Sequence, residues 1–371
     1  MEQALTVFIS EMDQIRTRVL RWSLPVPWLR SLFMNRAMRL QVLFLAAASI
    51  YLFLSLFFPL WVLVIGPMIW GVPHIFASIR YIPHALSKNT ARFPSVTKAL
   101  FALWGLVTIL RVLSDQFQIT LGWSASLPSN WPEMGAAVLT IFALFYLARQ
   151  KFSRSVLGVV LLAPVIFFSW TSPWVTAGVL IILHNWIAFI YWFKSCKTLT
   201  ERKVVMFSLA VFASIHALIL AGSFDFLYHF YSPQGFHVWA QLDFSDLGRM
   251  IAPNSTDPTL WFHLVSIYAF GQSLHYFIWL KAIPEQELPR EFPVSFGLSL
   301  KYLTADFGRK TLRWIPLVLV AGILAWILLK LPQARSLYFS VAAFHGYMEI
   351  AGLGFLQFDK INSQPDRSFA A

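Results

Sequence analysis

The sequence predicts an all-α fold: a polytopic transmembrane bundle of about ten helices, N-in and C-in, preceded by an N-terminal amphipathic segment. Three observations predict it. Hydrophobic residues make up 58% of the 371, charged residues only 12%, and mean hydropathy is +0.63. Too few charges are present to cover a soluble surface of that size, whereas a lipid-facing surface needs none. Apolar runs also follow one another without an intervening polar domain. Finally, the basic residues sit in short loops between those runs, which is how membrane proteins carry positive charge.

Residues 1–39 come first. Phe8, Ile9, Ile15, Val19, Leu20 and Trp22 alternate with Arg16, Arg18 and Arg21, the pattern of a helix lying in the membrane interface. Pro25 and Pro27 end it, and Trp28 with Arg30 resumes the interfacial segment. The first apolar run begins behind this long basic stretch and has no convincing cleavage site after it, which makes it an anchor rather than a signal peptide.

The membrane domain, 40–357, divides into spans at 40–58, 60–80, 98–114, 133–148, 155–170, 174–193, 203–222, 260–281, 313–331 and 336–357. Each approaches the ~20 residues that cross ~30 Å of hydrocarbon. Pro59 separates the first pair, and Ser172 with Pro173 the fifth and sixth. With the N-terminus inside, 25 of the 29 Lys and Arg fall on the cytoplasmic side, leaving Arg111, Arg249, Lys330 and Arg335 outside. That asymmetry fixes the orientation. The outer segment 223–259 carries Asp225, Asp243, Asp246, Asp257, His229 and His237, and is expected to be an interfacial loop or lid. The inner loop 282–312, with Glu285, Glu287, Arg290, Glu291, Lys301 and Arg309, is expected to be a solvated amphipathic segment. Residues 358–371 form a cytoplasmic tail. Cys196 stands alone as a loop thiol, which excludes an intramolecular disulfide. The net charge of +12 points to anionic lipid headgroups, and no nucleic-acid motif accompanies it. Nor is any protein partner implied.

Function is carried by histidines. Six of nine fall inside these spans: His74, His184, His216, His263, His275 and His345. Ionisable groups at such depth are costly and mark sites. Counting helical rise from the basic residues that end each span puts His74 and His275 about 9 Å from the cytoplasmic boundary and His184 about 15 Å from it. His216 and His345 come out near 20 Å on the same scale, and His263 falls at the outer boundary. A metal held by His74, His184 and His275 is therefore expected, with His216 and His345 at the edge of the depth band. Imidazole ligates iron, zinc and copper alike. Glu349 lies four residues after His345, on the same helical face, either as a direct ligand or orienting its imidazole.

These segments resemble the Brp/Blh family of membrane beta-carotene 15,15'-dioxygenases. Gly71-Val72-Pro73-His74 matches the family's opening motif, with Ile75 in place of its next glycine and Ser78 in place of its aspartate. Ile181-Ile182-Leu183-His184 is similar to the second histidine segment, and Ser214-Ile215-His216-Ala217 to the third. His275-Tyr276-Phe277-Ile278-Trp279 with Lys281 matches the most diagnostic segment, except that Gly271 stands where the family has a histidine. Phe344-His345 and Glu349 are similar to the final helix. The resemblance implies Fe2+ held mainly by histidines, dioxygen as co-substrate, and oxidative cleavage of a lipid-soluble carotenoid or similar polyene to aldehydes such as retinal, in what is expected to be a bacterial cytoplasmic membrane. Trp186, Tyr276, Trp279 and Tyr347 are candidates to line the substrate pocket. With Gly271 lacking a ligand, His345 is the expected substitute, its ring facing His184. Di-iron desaturases need clustered His-x3-His and His-His motifs that are absent here. A haem carrier would need paired histidines such as His74 and His275. A non-catalytic transporter or membrane scaffold with structural histidines, or another metal-dependent lipid oxidase, remains open to the sequence alone.

Overall fold

Long apolar runs punctuated by proline and by capping residues leave helix as the only regular structure, and the protein is helical throughout its described part. The computed structural model describes residues 2–87, 94–117, 135–142, 173–230 and 255–288, with single positions and short stretches between 163 and 353. Among these residues no strand occurs. The helices are α1 (Glu2–Ser23), α2 (Pro27–Met34), α3 (Arg36–Phe57), α4 (Pro59–Gly66), α5 (Val72–Ser87), α6 (Pro94–Phe117), α7 (Pro173–Ser195), α8 (Leu199–Leu220), α9 (Asp225–Phe230), α10 (Pro258–Phe277) and α11 (Ile283–Glu287).

Local chemistry sets these boundaries. Asn35 caps α3 by accepting from the Met38 amide at 3.0 Å, and Asp257 caps α10 by accepting from Thr259 at 2.9 Å, with Pro258 at the first turn. α8 opens with a capping box: Thr198 Oγ1 accepts from the Glu201 amide, and Glu201 Oε2 accepts from the Thr198 amide. Pro25 falls in the break between α1 and α2, and Pro27 opens α2 at its first turn.

Two π-helical segments interrupt the helical ladder, Pro67–Gly71 between α4 and α5, and Ile278–Ala282 between α10 and α11. Each ends two residues before a proline, Pro73 and Pro284. Proline offers no amide to the carbonyl four residues back and its ring collides with it. A widened turn moves that carbonyl aside, so the chain continues with a bend instead of stopping. The two segments adjoin His74 and His275 respectively.

The core is built around α10, which is buried on nearly every side from Val265 to Tyr276 and packs against α3, α4, α7 and α8. A helix apolar all round belongs at the centre of a bundle. Aromatic rings fill the spaces beside it: Phe44 meets Phe189 at 6.0 Å and Trp192 at 5.9 Å, and Phe212 stacks on Phe270 at 5.7 Å. α3 and α8 instead bury one face and expose an apolar one, including Val42, Leu45, Ile50 and Phe53 on the first and Met206, Phe207, Leu218 and Leu220 on the second. These two helices, with mean hydropathy 2.2 and 2.1, are the described helices long and apolar enough to cross a membrane.

The expected spans 40–58, 60–80, 98–114, 174–193, 203–222 and 260–281 all coincide with helix, the second and last running through their π turns. Residues 135–142 of the span 133–148 are helical. The spans 155–170, 313–331 and 336–357 lie mostly outside the described residues, as do His237 and the tail.

Two expectations need correcting. The inner loop 282–312 is not a wholly solvated segment. Glu285 is buried and ion-paired with Arg39, and its other oxygen meets Lys281 Nζ at 2.7 Å. Arg36, also buried, pairs with Glu201 at 3.6 Å and donates to the carbonyls of Gln286 at 3.3 Å and Leu288 at 2.8 Å. Four charges that a sequence reading assigns to loops therefore knit the ends of α3, α8 and α11 together. Further along, Asp13 of α1 accepts from the amides of Phe296 at 2.7 Å and Gly297 at 3.0 Å. Second, Cys196 is no open loop thiol. It is buried, donates to the Trp192 carbonyl at 3.3 Å, and burial with the nearby Glu201 carboxylate pushes its pKa up to about 12. His263, expected at the outer boundary, bonds Asp225 at 2.5 Å and so ties α9, the described start of the outer segment 223–259, to α10.

Candidate metal centre

Three histidines from three parts of the chain converge in the interior. His74 comes from the first turn of α5, just past its π segment and Pro73, and His275 from the last turn of α10, just before the other π segment. His345 comes from a helical stretch near the end of the chain. All three are buried, and one nitrogen of each lies within 4.8 Å of the others. His74 Nε2 and His345 Nε2 are 2.8 Å apart, their rings nearly perpendicular at 84°. The His275 ring stands 5.3 Å from that of His74 and 5.9 Å from that of His345.

Glu349 enters the same space from the face it shares with His345. Its Oε1 is 3.6 Å from His275 Nε2 and 3.8 Å from His345 Nε2. Among the described residues neither carboxylate oxygen has a partner in hydrogen-bond geometry, the Trp279 indole turning toward Glu349 without reaching it, and neither ring nitrogen of His275 has one. His275 turns toward the His184 backbone, and His74 toward the carbonyls of Trp70 and Gly71, short of hydrogen-bond geometry in each case. Most buried polar side chains do find a partner, so a carboxylate and an imidazole left over side by side make this a candidate binding position.

The donor set fits a transition metal. Imidazole and carboxylate bonds to zinc, the reference case, run about 2.0–2.2 Å, which spaces neighbouring ligand atoms about 3.0–3.4 Å apart in four- or six-coordinate geometry. The 2.8, 3.6 and 3.8 Å separations seen here bracket that value. Three buried histidines thus lie close enough to hold one metal ion.

The other expected residues divide into neighbours and outsiders. His184 is half-buried, its ring centred 4.7 Å from that of His275 and 5.7 Å from that of His345, but it falls outside the mutually close trio. His345 sits inside that trio, not at the edge of a depth band. Helical rise counted from uncertain span ends placed it about 10 Å deeper than His275, whereas the two rings stand 5.9 Å apart. His216 is elsewhere. Its Nδ1 bonds the Phe212 carbonyl at 2.8 Å, and its ring packs against Phe212 at 4.1 Å and Trp186 at 5.4 Å.

Gly271 faces that second group. A Cβ built on it would lie 3.0 Å from Asn185 Nδ2 and 3.5 Å from His216 Nε2. The space a side chain would take at 271 is therefore already filled by Asn185 and His216, which explains the glycine.

Of the expected lining residues, Tyr276 is closest, its ring 4.5 Å from that of His74, and its hydroxyl accepts from Gln272 at 2.6 Å. Trp279 lies 6.4 Å from His275 and 5.3 Å from Tyr191. Trp186 is on the His216 side, and Tyr347 lies outside the described residues. Ser78 donates to the Ile75 carbonyl of its own helix. Sequence reasoning missed Tyr191, whose hydroxyl donates to the Glu349 backbone carbonyl at 2.8 Å and anchors that helix. It also missed Gln272. The i, i+4 spacing of Gln272 and Tyr276 on one helix was the available signal.

Comparison with family models, with curated proteins and with solved structures finds no match for the chain.

Proposed function

We propose that the protein is a multi-pass membrane oxygenase of a bacterial cytoplasmic membrane, holding one iron ion through His74, His275 and His345, and that it cleaves a carotenoid or similar apolar polyene with dioxygen to give aldehydes. The observation that carries this reading is the convergence of the three buried imidazoles with the Glu349 carboxylate, without hydrogen-bond partners for the Glu349 oxygens or the His275 nitrogens. The motif order around His74, His184, His275 and His345, similar to that of the Brp/Blh dioxygenases, supports the choice of chemistry.

The lipid setting has its own support. α3 and α8 turn broad apolar faces outward, and α1 and α2 expose Phe8, Ile15, Val19, Trp22 and Trp28 beside Arg16, Arg18, Arg21 and Arg30. Outward apolar faces of that extent belong in lipid, and the mixed basic and aromatic surface suits anionic headgroups.

When bound, iron with neutral nitrogen ligands supplies activation of dioxygen beside a double bond. The chain's own contribution is placement and dryness. Tyr276, packed on His74 and held by Gln272, fixes one wall next to the ligands. Trp279 and Tyr191 form another, behind His275. His184 keeps its ring against His275 from the adjacent helix. Complete burial of His275 and Glu349 excludes bulk water from the reacting position, and a fixed pocket aligns one bond of an otherwise uniform polyene.

Expression in aerated, iron-replete cells that make beta-carotene tests the reading. Loss of pigment with accumulation of retinal is the expected outcome, abolished by His275→Ala. Unchanged pigment with a metal-loaded protein would eliminate the carotenoid reading.

A further inference from the structure

Resting on that metal-centre reading, we infer that Glu349 is itself a ligand, so that the site is three histidines and one carboxylate and not an all-histidine centre. Three observations converge. Glu349 Oε1 approaches the Nε2 atoms of both His275 and His345, at 3.6 and 3.8 Å. Those distances are too long for hydrogen bonds, yet they are near the separation of about 3.0–3.4 Å between atoms that share one ion. A residue that merely oriented an imidazole would stand within hydrogen-bond reach of a ring nitrogen, and Glu349 bonds none.

The second observation is charge. Among the described residues three acids are buried: Glu201, Glu285 and Glu349. Glu201 pairs with Arg36, and Glu285 with Arg39 and Lys281. Glu349, fully enclosed, has neither lysine nor arginine paired with it among the described residues. A carboxylate without a cation is costly in such a place. So is a divalent ion held by three neutral rings. Direct ligation removes both costs, leaving a net charge of one in the site.

The third is rigidity. His345 and Glu349 are one helical turn apart, and the Tyr191 hydroxyl fastens the Glu349 carbonyl from α7. The helix therefore presents two donors on one face, fixed from outside. This also answers the absent side chain at Gly271: the fourth ligand comes from the last helix and from a different chemical class.

Cobalt(II) titration of the full-length protein in detergent, read by visible absorption, tests this. Glu349→Gln keeps size and polarity but offers a poor ligand. We expect its cobalt affinity to fall by more than 100-fold and the residual absorption band to shift. Glu349→Asp and Glu349→His, which restore a donor, should each recover binding with bands distinct from the wild type. A fall of about 10–100-fold with an unchanged band is what a residue acting through a histidine produces, and it would overturn the assignment, as would wild-type affinity in Glu349→Gln. If Glu349→Gln does not accumulate, the other two variants decide: bands identical to the wild type overturn the proposal. Wild-type protein that binds no cobalt removes the metal centre itself, a different failure from loss of Glu349 alone.

Discussion

Two buried polar regions sit within this bundle, and they are built on opposite principles. At one end of the bundle Arg36, Arg39, Lys281, Glu201 and Glu285 bring each charge against an opposite one, and both arginines donate further to backbone carbonyls. In the interior, His74 bonds His345 at 2.8 Å, but the His275 nitrogens and Glu349 oxygens of the same cluster have no partner in hydrogen-bond geometry among the described residues. The first region closes on itself and holds helices together. The second leaves the Glu349 oxygens and the His275 nitrogens unpaired beside the His74–His345 bond, an arrangement that a bound ligand would complete.

The comparison can be broken most forcefully at the ion pairs. Arg39→Ala strands Glu285 among buried groups, and breaking such a pair costs about 3–5 kcal/mol. Lys281 remains beside Glu285, so the lower end of that range is expected, measured as a large fall in melting temperature in detergent. Little change would mean that the pair is a surface contact.

The histidine region should behave in the other direction. In metal-free protein, Glu349→Gln exchanges a buried carboxyl that no cation balances among the described residues for a neutral amide of like size, and stability should stay within about 1 kcal/mol of the wild type or rise. Chelator-treated protein compared by thermal melting checks this. A loss as great as that of Arg39→Ala would mean that Glu349 is a structural partner like Glu285.

A smaller effect is expected at Gly271. Glu349 and Gly271 both differ from an all-histidine pattern, but for different physical reasons, since Gly271 makes room. Gly271→Ala gains about 1 kcal/mol of helix propensity and loses a comparable amount by pressing on Asn185 3.0 Å away, so the net change should be small. Gly271→His must displace both Asn185 and His216 and should cost about 1–3 kcal/mol. Equal stability of the two variants would show that the notch is open.

The smallest effect concerns Cys196, on the ion-pair side near Glu201. Its folded pKa of about 12 lies above the ordinary thiol value of about 8.5. Between those values the folded state holds a proton that the unfolded state releases, so stability falls as pH rises through that window. Iodoacetamide at pH 8.5 should label Cys196 only after unfolding.

Much of this was legible in the residues. Pro25, Pro27, Pro59 and Pro173, together with the Thr198–Glu201 pair, mark helix boundaries by local chemistry alone, and the observed helices begin or end there. His74 and His275 were recognisable as neighbours because each lies six residues from a basic residue that fixes its depth. His345 has no such ruler close by, and depth counting misplaced it. The pairing of Arg39 with Glu285 was illegible for another reason: partners 246 residues apart carry no sequence signal, and charges in loops look solvated until the fold encloses them.

Metal analysis of the purified full-length protein tests the central claim most directly, by mass spectrometry with dialysis against iron. The account predicts about one iron per chain with no haem absorption, falling at least tenfold in His74→Ala, His275→Ala and His345→Ala and unchanged in His263→Ala, whose partner is Asp225. Stoichiometric metal in all four variants, or none in the wild type, would contradict it.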